Sequence, residues 1–189
     1  MRVIGGRWRG RRLVAPRGET VRPTTDRVKE AVFGLLGDRV AGATVLDLCC
    51  GAGGLGIEAL SRGAARAVFV DSDRTALAAV RGNLAACGAD PGEATLIRAE
   101  AVAWLGHWQP PRGTWLLLAD PPYATAVAAA LVPLIDRLAA DPGFAAAVLE
   151  HPFRGPALPE TACGRDVRRY GETAITILEP AGFRRGEGT

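Results

Sequence analysis

The chain has 189 residues, 48% of them hydrophobic, and a net charge of +3, which fits one core-bearing domain with an appendage and excludes a disordered chain. No run approaches the ~20 apolar residues that span a bilayer, and the basic start from Met1 to Gly6 lacks a signal-peptide apolar region, so a cytoplasmic protein is expected. The four cysteines form no C-x-x-C pair, so reduced thiols and no metal site are expected.

The charge is unevenly spread. Residues 1–30 carry nine basic groups against three acids, an excess of six, so the remainder is net −3. A basic arm on a near-neutral body is the electrostatic footprint of a polyanion partner. Between Arg2 and Pro16, two short strands around a glycine-rich turn would bring Arg7, Trp8 and Arg9 to a hairpin tip. Arginines beside an aromatic can contact phosphate and stack on a base. Arg11, Arg12 and Arg22 extend that set. A tryptophan folded onto the body is the competing reading for Trp8.

Thr25 or Asp26 can cap the next element, a helix with Val28, Val32, Leu35 and Leu36 on one face and Gly37 at its end. A first parallel strand is expected over Thr44–Cys50, followed by a glycine loop and a helix from Ile57 to Arg62. A second strand, Ala67–Val70, ends at Asp71, and a helix from Thr75 to Cys87 closes on Gly88. A third strand, Ala94–Ile97, leads to Glu100 and a short helix around Val102–Leu105. The run Trp115–Ala119 reads as a strand buried on both faces, because it shows no polar alternation. A helix over Ala124–Ala140, kinked at Pro133, and a strand over Ala146–Glu150 follow. Arg168–Gly171 and Ala174–Leu178 finish the sheet as antiparallel strands. Strands alternating with helices give a doubly wound, Rossmann-like α/β fold of seven strands, mostly parallel with an antiparallel last strand. The division expected is a basic hairpin over 1–22, the main domain over 23–180 and a frayed tail over 181–189.

Two motifs carry chemistry. Gly51-x-Gly53-x-x-Gly56 follows a strand and opens a helix, with Asp71 twenty residues beyond Gly51. Alone it serves a NAD-dependent dehydrogenase as well as anything else. Asp47 tips the balance, since a carboxylate just before the loop would repel the phosphates of a dinucleotide. It suits a phosphate-free nucleoside bearing a cationic amino group, and S-adenosylmethionine is such a ligand. Asp71 can then accept from the ribose hydroxyls, and Glu100 falls where the adenine would lie, unless it merely starts a helix. The second motif is Asp120-Pro121-Pro122-Tyr123, at the strand end where open α/β sheets bind ligands. Its prolines remove two backbone donors and leave carbonyls free to accept, while Tyr123 offers a stacking face. Acceptors beside an aromatic suit a planar group with an amino substituent.

The stretches Gly5–Gly10, Arg22–Glu30, Val45–Ala64, Asp120–Tyr123 and Tyr170–Pro180 carry a resemblance over almost the whole chain. The sequence resembles class I S-adenosylmethionine-dependent methyltransferases, and among them the RsmD family. Those are bacterial enzymes that methylate the 2-amino group of a guanine in small-subunit ribosomal RNA. The resemblance implies Asp120, Pro121, Pro122 and Tyr123 as the catalytic set. It implies Asp47, Gly51, Gly53, Asp71, Glu100 and Thr25 around S-adenosylmethionine. Arg7, Trp8, Arg9, Arg11, Arg12 and Arg22 would contact RNA, and a monomer acting on ribosomal RNA, free or in an assembly particle, is expected. The chain departs from the family pattern at Cys49-Cys50, usually an aromatic and a small residue, at Gly53-Gly54 and at Glu100, where Asp is usual. The competing functions are amino methylation of adenine in DNA or RNA, a NAD-dependent oxidoreductase, and a silent RNA-binding chaperone.

Overall fold

The computed structural model describes residues 1–16, 26–123 and 126–183. Arg22, Thr25, the expected boundary at residue 22 and the end of the tail lie outside these residues. Seven strands form one sheet: β1 (Thr44–Leu48), β2 (Arg66–Asp71), β3 (Ala94–Arg98), β4 (Trp115–Ala119), β5 (Phe144–Pro152), β6 (Gly164–Tyr170) and β7 (Thr173–Glu179). Their order is β3-β2-β1-β4-β5-β7-β6. The first five run parallel, and β7 is antiparallel to both β5 and β6. This is the doubly wound sheet expected from the alternation of strands and helices.

Among the described residues five α-helices cover it: α1 (Asp26–Leu36), α2 (Gly54–Ser61), α3 (Arg74–Cys87), α4 (Ala101–His107) and α5 (Val127–Leu138). The sheet's alternation divides the core in two. Val45, Leu116 and Ile177 pack with α1, α2 and α3, whereas Leu46, Leu117 and Leu178 pack with α4 and α5. In β4 every residue is buried, because both faces are covered.

Some elements are longer than the sequence pattern shows. β6 begins at Gly164, four residues ahead of expectation, since an exposed edge strand has no apolar run to mark it. α2 begins at Gly54, because glycines that look like loop complete its first turn. The α1 face also buries Lys29 and Phe33 between Val28, Val32 and Leu36.

The N-terminal hairpin is present. Val3 N donates to Arg11 O at 2.9 Å and Leu13 N to Met1 O at 3.0 Å, around a 3-10 turn over Gly6–Trp8. It is stitched to the body rather than solvated. Val3, Trp8 and Leu13 belong to the core on the α1–α3 side. Ile4 N and Gly5 N donate to the Glu58 carboxylate at 2.7 and 2.8 Å. Glu58, fully buried on α2, also accepts from Arg62 Nε at 2.8 Å and lies 3.7 Å from Lys29 Nζ. Lys29 in turn donates to Arg2 O. Asn83 on α3 accepts from Val14 N at 2.8 Å and donates to Val14 O and to Ala52 O, each at 3.0 Å.

Candidate active site

Four carboxyl residues gather at the C-terminal edge of the parallel strands. Asp47 is on β1, Asp71 ends β2, Glu100 follows β3 and Asp120 follows β4. Cys49 lies among them. Burial, and then the negative charges of Asp71, Asp47, Asp120 and Glu100, push its thiol up to about 12. It is therefore a neutral thiol, not a nucleophile, at physiological pH. Cys49 is also left-handed at φ +54, a conformation that costs a non-glycine residue about 1–3 kcal/mol.

The glycine loop is shaped by its backbone. Gly51 (φ +52) and Gly53 (φ +78) take the left-handed region, which lets the chain reverse from β1 into α2. A Cβ on Gly51 would meet nothing within 4 Å, so the loop leaves open space over this residue. Asp71 fixes the loop from the side: its Oδ2 accepts from Gly51 N and its Oδ1 from Asp73 N, both at 2.9 Å. Glu100 is at the N-cap position of α4 but makes no capping hydrogen bond, and it is exposed. The N-cap place fits the reading of Glu100 as a helix-start acid, and its exposure leaves the carboxylate open to a ligand as well.

Asp47 is placed otherwise than expected. It is 1% exposed, and its Oδ2 accepts from Gly56 N at 2.8 Å, so it braces the loop from below instead of lining the cleft. A Cβ on Gly56 would collide with the Phe69 ring and crowd this oxygen, which accounts for the third glycine. Burial holds the Asp47 carboxyl well above the usual range, and Asp120 and Asp71 add to that. Asp47 thus takes one helix N-terminal donor that a dinucleotide phosphate would otherwise use.

In the second motif Pro121 is buried and Pro122 exposed. The Tyr123 hydroxyl is 3.0 Å from Glu150 Oε1 and 2.6 Å from Thr173 Oγ1. These bonds fix the half-buried ring over the ends of β5 and β7. Burial pushes the phenol up to about 12, so it stays protonated. Tyr123→Phe keeps the ring and loses both bonds; we expect turnover to fall by up to about 10²-fold, as for a misplaced positioning group. Steady-state kinetics that match wild type would show that the ring needs no such tether.

The arm contributes less than its charge promises. Trp8 is 7% exposed, packed in the core, with the Arg7 guanidinium 4.2 Å from its ring centroid. No face of it is available to a base, so Trp8 leaves the RNA-contact set. Arg7 is also paired with Glu93 at 2.5 Å, just before β3 begins. Asp71 and Asp120 lie at the other end of the strands. The five residues of β3 span roughly 16 Å, so the hairpin tip sits about one strand length from the acids. Arg2 pairs with Asp26 at 2.8 Å, while Arg9, Arg11 and Arg12 are exposed.

With this geometry established, the comparisons identify the lineage. Residues 1–179 match the family described as "Conserved hypothetical protein 95". The chain belongs to this family. It is 40% identical to the Bacillus subtilis "Putative rRNA methyltransferase YlbH" over 96% of this chain and 100% of that one. It is also 40% identical to the Escherichia coli "Ribosomal RNA small subunit methyltransferase D", over 65% of this chain and 60% of the relative. Among solved structures, the E. coli "Putative methyltransferase yhhF" superposes with a TM-score of 0.75, 31% identity, and coverage of 95% of this chain and 97% of that one. The RsmD resemblance read from the motifs is borne out, and the chain is a methyltransferase. The oxidoreductase and silent-chaperone readings fall.

Proposed function

We propose that the protein transfers a methyl group from S-adenosylmethionine to the exocyclic 2-amino group of a guanine in small-subunit ribosomal RNA. The observation that carries this is the acidic, cation-seeking cleft at the strand ends, with the Asp120-Pro121 acceptor pair next to the tethered Tyr123 ring. S-adenosylmethionine, when bound, supplies an electrophilic methyl group on a sulfonium. Gly51 and Gly53 give close backbone approach, Asp71 offers its remaining acceptor capacity to the ribose, and Glu100 faces the adenine side. Thr25 stays in the proposed cofactor set through the family resemblance alone.

An amine conjugated with a purine ring is a poor nucleophile because its lone pair is delocalised. The Asp120 carboxylate and Pro121 carbonyl accept its two N–H groups, favour a pyramidal nitrogen and orient the lone pair. Positioning of this kind supplies ~7–11 kcal/mol. Asp120 also stabilises the positive charge that develops on nitrogen during transfer. The Tyr123 ring stacks on a base withdrawn from its helix. Arg9, Arg11, Arg12 and Arg22 add phosphate contacts that carry no sequence information.

Two measurements test this. Calorimetry with S-adenosylhomocysteine should show binding that Asp71→Ala weakens by about 1.5–3 kcal/mol, the range for hydrogen bonds to a charged acceptor. Nucleoside analysis of ribosomal RNA from a deletion strain and its complement should show one 2-methylguanosine lost and restored. Loss of a methyladenosine instead would move the target to the other purine.

A further inference from the structure

The cleft has a second rim that the family motifs do not include. β5 runs parallel to β4, so Pro152 ends at the same edge as Asp120, and Phe153 N continues the pairing by donating to Glu172 O at 2.8 Å. This places Phe153 and Arg154 beside the β6–β7 turn, next to Thr173, whose hydroxyl holds Tyr123. Phe153 is a large aromatic left 42% exposed. The Arg169 guanidinium sits 4.1 Å from its ring centroid, and Arg154 is exposed as well. Arg169 Nε donates to Gly171 O at 2.8 Å, while the end of its 48% exposed side chain lies only 3.9 Å from a 60% exposed Glu172. An ion pair this open contributes little and leaves the guanidinium available to another anion.

We propose that Phe153, Arg154 and Arg169 form a docking surface for the single-stranded RNA that flanks the target nucleotide. This rests on the reading of the site as an RNA methyltransferase. A target base presented from a single-stranded loop brings unstacked neighbours to the cleft with it. An exposed aromatic with a cation on its ring is the platform that unstacked bases use, and it tolerates any sequence because every base has a π-face. The two arginines supply phosphate contacts at the cleft. The arm's Arg7 cannot do so, because it is held by Glu93 at the opposite edge of the sheet. Asp166, which accepts three hydrogen bonds from Arg168, keeps that neighbouring arginine occupied.

The test is anisotropy with a labelled single-stranded RNA oligonucleotide and S-adenosylhomocysteine present, run beside methyl transfer to ribosomal RNA. Phe153→Ala should weaken RNA binding and raise the RNA KM by about 5- to 100-fold, as expected for a lost base–aromatic stack. Arg154→Gln with Arg169→Gln should reduce the log–log salt slope by about 0.7 per lost contact. Affinity for S-adenosylhomocysteine should be unchanged in all variants, which also reports that they fold. Unchanged RNA affinity and salt slope in the variants of a wild type that methylates RNA would overturn the surface. Weakened binding in the variants of a wild type that transfers no methyl group would keep the surface and overturn the enzymatic reading instead.

Discussion

Asp120→Asn is expected to lower the methyl-transfer rate by about 10²–10³-fold, the range for removing one group that stabilises transition-state charge. The substitution keeps shape and acceptor but replaces a charge by a dipole. S-adenosylhomocysteine should bind within a few-fold of wild type, because the proposed partner of Asp120 is the target amine. Full activity in this variant would reduce Asp120 to a positioning acceptor.

The same change has a consequence for stability. Burial, then Asp120, then Asp71 raise the Asp47 carboxyl above its usual value, apart from the opposing Gly56 hydrogen bond. A carboxyl raised in the folded state favours folding as pH falls below that value and disfavours it as pH rises through it. Removing the Asp120 charge lowers the folded value and shrinks the neutral-pH penalty. The inactive variant should therefore melt no lower than wild type at pH 7. A lower Tm would show that Asp120 also supports the fold.

The largest stability effect is expected at Glu58. Glu58→Gln should destabilise the protein by about 3–5 kcal/mol, as for breaking a buried ion pair by removing one partner. It leaves Lys29 fully buried without its counter-charge and weakens the anchors of Ile4 and Gly5. Burial lowers the Lys29 amine below its ordinary value, and attraction by Glu58 opposes this. Losing that attraction lowers it further. An amine lowered in the folded state costs stability below its folded value, and the cost disappears as pH rises from there towards the unfolded value. The deficit of Glu58→Gln should accordingly narrow in alkaline solution, and adding Lys29→Met should recover part of it. Chemical denaturation against pH measures both. A pH-independent deficit would show that packing, not stranded charge, sets the loss.

The sheet and the site's first residues were legible because their physical signals are local. A parallel strand covered on both faces shows as an apolar run, as in Trp115–Ala119, and an acid after such a run sits at the ligand edge. The buried polar network was less so, although two residues pointed to it. Glu58 is a lone acid among Leu55, Ile57, Ala59 and Leu60, and Lys29 falls on the same stripe as Val28 and Val32. Asn83 gave no comparable sign, since its partners Val14 and Ala52 are distant in sequence. The direction of the hairpin was likewise unreadable, because charge composition fixes how basic an arm is but not which end of the sheet it reaches. Asp47 sits where the sequence places it but against another neighbour: its partner is a backbone amide nine residues on, a contact no periodicity reveals.

The stitching of the hairpin also sets an order of assembly. Its anchors, Glu58 and Asn83, lie 53 to 69 residues downstream of the backbone groups they hold. During synthesis at ~5–20 residues per second, Ile4, Gly5 and Val14 wait roughly 3–14 seconds for those partners. Closure of so long a loop comes only after α2 and α3 have formed, which makes the arm a late, high-contact-order step. A segment made well before its anchors is thus among the last to become native, and Asn83 then ties Val14 to Ala52 in the glycine loop.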